Sequence, residues 1–157
     1  MMQQVSERRV KTREVVEKLI KERQEMLVLY CEVAGLEPYN SSEPVTGRLQ
    51  KFCQVMVDYI ALGHFEVYER ITKGTERRRS VTELAAAVYP FIEKATQKAV
   101  DFNDRYASED QCTTSESLAD DLSKLGEDLA LRIEYEDRLI AGLIGKEREP
   151  SESYVVP

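Results

Sequence analysis

Apolar positions in this chain recur at helical steps in four blocks. The first runs from about Ser6 to Ala34 and carries Val15, Val16, Leu19, Ile20, Met26, Leu27, Tyr30, Val33 and Ala34. Steps of three, four and seven place such residues along one side of a helix. Gly35 supplies a stop, and Pro38 follows it. Residues 36–44 read as a loop, and Ser41 to Pro44 offers a cap and a first-turn proline.

The second block carries Leu49, Phe52, Cys53, Met56 and Ile60, then Phe65, Tyr68 and Ile71. Gly63 lies inside it, where a glycine costs about 1 kcal/mol relative to alanine. A kink or short break is therefore expected at Gly63, with a shorter helix beyond it. Gly74-Thr75 ends the block. Ser80-Val81-Thr82-Glu83 has the capping-box pattern and predicts the start of the third block. That block holds Val81, Leu84, Val88, Ile92, Ala95, Ala99 and Phe102, with Pro90 predicting a bend. Residues 107–117 are polar and turn-rich, with Thr114, Ser115 and Ser117 as candidate caps. The fourth block runs from Leu118 to Ile144, and Gly145 closes it.

Four apolar-striped helices joined by modest connections predict an all-α, antiparallel four-helix bundle with short extra helices. Residues 1–145 form its single domain, and the charged, proline-bearing stretch 146–157 reads as a flexible tail.

Composition narrows the function. No run of about eighteen apolar residues occurs, which leaves no membrane span. The polar start, Met1 to Arg13, has no apolar core of a secretory signal, so a cytoplasmic protein is expected. Cys31, Cys53 and Cys112 are odd in number and widely spaced, which predicts reduced thiols, two of them on buried helix faces. The net charge is -7. Nine acids between Asp101 and Ala130 face only Arg105 and Lys124, enough to account for that whole excess. Such a surface repels phosphate backbones and draws basic partners. The basic cluster Lys73, Arg77, Arg78 and Arg79 reads as a solvated loop.

The ingredients of catalysis are scarce. His64 is the one histidine, and Ala61 stands where a Glu-x-x-His metal motif needs its glutamate. No phosphate-binding glycine loop occurs. These features predict no enzyme and no cofactor. His64 reads either as a hydrogen-bonding residue at the helix break or as a partner contact. Arg132 and Glu136, four apart and close to the apolar stripe of the last helix, read either as a partly buried pair that fixes its docking, the favoured reading, or as an ordinary surface pair worth about 0.3–0.5 kcal/mol.

The stretch from Phe52 through Val57-Asp58-Tyr59, Gly63-His64-Phe65 and Tyr68-Glu69-Arg70-Ile71 resembles the signature of the Rsd/AlgQ family of bacterial regulators. Leu122 to Leu129, Arg132 and Glu136 to Ile140 agree with it, and Glu22-Arg23-Gln24 to Leu36-Glu37-Pro38 agree more weakly. The resemblance spans roughly residues 15 to 145. It implies an anti-sigma factor that binds the C-terminal, fourth domain of the primary sigma factor. Occupying that domain withholds it from RNA polymerase and the promoter -35 element. The resemblance also implies an acidic contact at Asp58 to the DNA-reading helix of sigma. Tyr59, His64, Phe65, Tyr68 and Glu69 complete the candidate partner-binding set, although Phe65 and Tyr68 also fit core packing. A monomer or weak dimer without direct nucleic-acid binding is expected. A bundle enzyme, a metal or cofactor carrier, and a homo-oligomeric scaffold remain the alternatives.

Overall fold

The computed structural model describes residues 2–35, 45–72, 78–107 and 115–144. The loop expected at 36–44, Lys73 to Arg77, Cys112, Gly145 and the tail 146–157 lie outside them. Helix α1 spans Met2–Ala34 and α2 spans Val45–Leu62. A π-helical segment, Gly63–Tyr68, leads into the short α3, Glu69–Thr72. Helix α4 spans Arg79–Tyr106, and α5 spans Ser115–Ile144.

The helices pair as two hairpins. α1 packs chiefly on α2, and α4 on α5. The hairpins meet through α2 against α4 and through α1 against α5, with fewer close approaches. The shared core holds Leu19, Met26, Leu49, Phe52, Met56, Leu129 and Leu139, all nearly free of solvent. Burying each such side chain contributes about 1.5–3 kcal/mol. Cys53 is buried and Cys31 half-buried, and neither is in a disulfide.

The structure sharpens some expectations and changes others. The helical run is interrupted at Gly63 as expected, by a change of helix type and not by a loop. It widens into a π-helix, in which the Glu69 N–H donates to the carbonyl of His64, five residues back. His64, Phe65 and Glu66 are thereby left exposed in succession between buried Gly63 and Val67. Gly63 is required for another reason than breaking a helix. A Cβ there would lie 3.0 Å from Glu136 Oε2 and 3.3 Å from Arg132 Nη2. Helix α4 begins one residue before Ser80, at Arg79, so the capping box does not form. The Arg78 carbonyl instead accepts from the N–H groups of Val81 and Thr82, both at 3.1 Å, and Glu83 pairs with Arg79. Arg78 also does more than a solvated loop residue would. Its Nη2 donates to the Leu143 carbonyl at 3.0 Å and satisfies one of the open acceptors at the end of α5. Finally, Pro90 is accommodated within α4, and Ser117 lies inside α5 rather than capping it.

Candidate functional site

Each apolar stripe carries a polar residue near its middle, and the fold brings these residues together. On α1 the seven-residue step from Leu19 to Met26 skips over Arg23, which is buried at that level. On α2 the residue is Tyr59, and on α5 they are Arg132 and Glu136. Arg23 Nη2 reaches Glu136 Oε1 at 2.6 Å, and the Tyr59 hydroxyl donates to the same oxygen. Arg132 Nη1 holds the other oxygen, Oε2, at 2.8 Å. Arg132 Nε donates to Thr96 Oγ1 on α4 at 3.2 Å, and its guanidinium lies over the Tyr59 ring at 5.2 Å. The network around this carboxylate thus joins all four long helices, with α4 reached through Arg132.

The pair expected between Arg132 and Glu136 is present, and each residue is 3% exposed. Burial at this depth is tolerable because every oxygen of Glu136 is matched by a donor. Burial raises the Tyr59 pKa well above the ordinary tyrosine range. The Glu136 charge adds to the rise, and Arg132 and Arg23 oppose it. Tyr59 therefore acts as a neutral donor. On Arg23, burial works against the charged form, but Tyr59 and Glu136 more than compensate, and its pKa rises. Arg23 Nη1 also reaches Asp137 at 2.7 Å on the surface.

Outside this network lies the surface of α2 and the π-helical segment. Asp58 is exposed, and its Oδ1 accepts from Gln54 Nε2 at 3.1 Å. Its neighbour Tyr59 is anchored from within, at 0% exposure, so Tyr59 is removed from the surface-contact set. Tyr68 is also buried. Its hydroxyl donates to the Ala85 carbonyl at 2.7 Å, and its ring lies 4.5 Å from that of Tyr89. Burial pushes its pKa upward, with Tyr89 and Glu93 adding to the effect. Phe65 goes the other way. The π-turn presents it to solvent at 62% exposure, although its helical spacing had favoured the core. His64 is exposed beside it, with ring centroids 5.0 Å apart. Glu69 is half-buried. Of the six candidates, Asp58, His64 and Phe65 lie fully on the surface. Arg23 and Thr96 were missed as members of the buried network. The gap in the α1 stripe and the weaker family agreement at Glu22-Arg23-Gln24 were the signals for Arg23, and nothing in the sequence singled out Thr96.

Between the π-helical segment, α4 and α5 lies a cavity of about 380 Å³. Val57, Ile60, Val67, Ile92 and Leu139 form its walls, Arg132 and Glu136 its floor, and His64 and Phe65 also line it. Among the described residues, no group of three or more His, Cys, Asp or Glu is placed to hold a metal ion. No helix among them is long and apolar enough to cross a membrane.

The family model described as "Regulator of RNA polymerase sigma(70) subunit, Rsd/AlgQ" matches residues 1–144. A regulator of sigma D from Yersinia pseudotuberculosis is 36% identical over 134 residues, covering 81% of this chain and 78% of its own. The same-named protein of Yersinia enterocolitica is 37% identical over the same share of each chain. That of Salmonella paratyphi B is 31% identical over 145 residues, 88% of this chain and 87% of its own. No solved structure matches the chain.

Proposed function

The chain belongs to the Rsd/AlgQ family of regulators of the RNA polymerase sigma(70) subunit, and from that premise we propose how it holds its partner. The family is regulatory and not enzymatic, and the protein regulates transcription as an anti-sigma factor. In our reading it grips the fourth domain of the primary sigma factor and withholds it from core polymerase and from -35 DNA. The action takes place in the cytoplasm, with the protein as a monomer or weak dimer and without direct contact to nucleic acid. Residues 1–145 act as one domain.

The observation that carries this reading is the placement of Asp58. It faces solvent on α2, while the adjacent Tyr59 is locked into the four-helix network. The carboxylate is thus free to meet a guanidinium, and its backbone is held still beforehand. A helix that reads DNA is rich in Arg and Lys, and a carboxylate competes for it by standing in for phosphate. Phe65 supplies an apolar contact on the same helical run, and His64 and Glu69 flank it. The acids between Asp101 and Asp128 steer a basic partner in without gripping it.

Co-purification tests the reading. The tagged full chain, passed through a bacterial extract, retains the primary sigma factor at low salt and loses it progressively as salt rises. A bait that leaves sigma in the flow-through at all salt concentrations would overturn the assignment.

A further inference from the structure

We propose that the cavity between the π-helical segment, α4 and α5 is a binding site for a small apolar carboxylate, with its head group on Arg132. Its volume of about 380 Å³ falls within the range of small-molecule sites, roughly 300–1,000 Å³. Its walls are aliphatic and aromatic: Val57, Ile60, Val67, Tyr68, Ile92 and Leu139. A ligand body must therefore be apolar.

The floor specifies the head group. Arg132 is 3% exposed. Its Nε serves Thr96 and its Nη1 serves Glu136. Nη2, on the side of Gly63, has no acceptor among the described residues. A guanidinium carries five N–H donors, and a buried one left with spare donors calls for an anionic or carbonyl oxygen.

The local charge points to an anion. Two guanidiniums, those of Arg23 and Arg132, share the single buried carboxylate of Glu136. The other partner of Arg23, Asp137, is more than half exposed. The buried charged side chains among the described residues are Arg23, Arg48, Arg132 and Glu136, so the buried balance is positive. Glu136 does not repel the ligand head, because Arg23, Tyr59 and Arg132 occupy both its oxygens. Glu93 also lines the cavity and is exposed to solvent. Its charge disfavours a second negative group on the ligand and selects monoanions.

The probe is 3-phenylpropionate, compared with its uncharged counterpart 3-phenylpropanol, titrated into the full-length protein. Methyl chemical shifts of Ile60, Val67, Ile92 and Leu139 report occupancy. The carboxylate produces saturable shifts at these methyls with a Kd below about 1 mM, and the alcohol binds at least tenfold more weakly. Ala61→Phe, which fills the cavity and leaves Arg132 in place, abolishes both sets of shifts. Arg132→Gln removes the preference for acid over alcohol. Where that variant does not fold, the ligand comparison and Ala61→Phe decide the matter. Absence of saturable shifts, equal affinity for acid and alcohol, or unchanged binding in Ala61→Phe would overturn the proposal. No sigma factor enters the experiment, so its outcome is independent of the anti-sigma reading.

Discussion

Arg132 and Glu136, one turn apart on α5, form an ion pair at 2.8 Å with 3% and 4% of their side chains exposed. The same spacing produces Arg79–Glu83 at 2.9 Å, with side-chain exposures of 90% and 66%. Spacing alone does not set the value of a pair; desolvation does. Glu136→Gln leaves Arg132 buried without its countercharge, takes from Arg23 the buried one of its two carboxylates, and costs about 3–5 kcal/mol. Glu83→Gln leaves stability unchanged within error. Urea midpoints of the two variants check the contrast, and equal midpoints would mean that the buried network does not hold the hairpins together.

Alkaline pH acts on the same network. The folded pKa of Tyr59 is raised above its unfolded value of about 10. The folded state therefore holds the proton more tightly. The resulting stability is complete below about pH 10 and is lost as pH rises from there toward the folded value. Tyr68 shifts in the same direction and adds to the loss. Urea midpoints at pH 8 and pH 10.5 should fall with pH in the wild type, and less steeply in Tyr59→Phe.

Gly126 answers to a different constraint. A Cβ there would overlap the Tyr30 hydroxyl and lie 2.9 Å from its ring carbon Cζ. That hydroxyl donates to the Leu122 carbonyl at 2.8 Å, so the ring cannot retreat without losing the bond. Gly126→Ala improves helix propensity by about 1 kcal/mol, yet overpacking costs about 1–3 kcal/mol. The net effect is destabilising. In a Tyr30→Leu background the same substitution becomes neutral or stabilising, which thermal denaturation of the four proteins would reveal.

Phe65 offers a separable test of surface against core. At 62% exposure it supports little of the fold. Phe65→Ala leaves Tm within about 2 °C, in line with small effects at exposed positions, and weakens sigma binding. Tyr68→Ala, which removes a buried ring and its bond to Ala85, lowers Tm markedly. Reversed effects on stability would contradict the assigned placement.

The bundle was legible because its stripes are periodic. Leu49, Phe52, Met56, Leu125 and Leu129 repeat at helical steps and are buried. The pair Arg132–Glu136 was legible from spacing on the stripe. Its full network was not, because Arg23, Tyr59 and Thr96 come from three other helices, and no local pattern links them. The π-turn escaped for a related reason. Gly63 signalled a weak point in a helix, but its role is to give room to Glu136, which lies on another helix. That turn then reversed the reading of Phe65. The capping box failed because the backbone carbonyl of Arg78 already serves the first turn of α4. Asp58 was legible through the family resemblance alone, since an exposed carboxylate on a helix carries no intrinsic sign of a partner.

The most direct test of the central claim is calorimetric titration of the primary sigma factor with the wild-type protein and with Asp58→Ala, both shown to be folded. Loss of a hydrogen bond to a charged partner costs about 1.5–3 kcal/mol. The account predicts that the wild type binds, and that Asp58→Ala binds roughly 10- to 100-fold more weakly, with a smaller dependence on salt. Equal affinities for the two proteins, or no binding by the wild type, would contradict it.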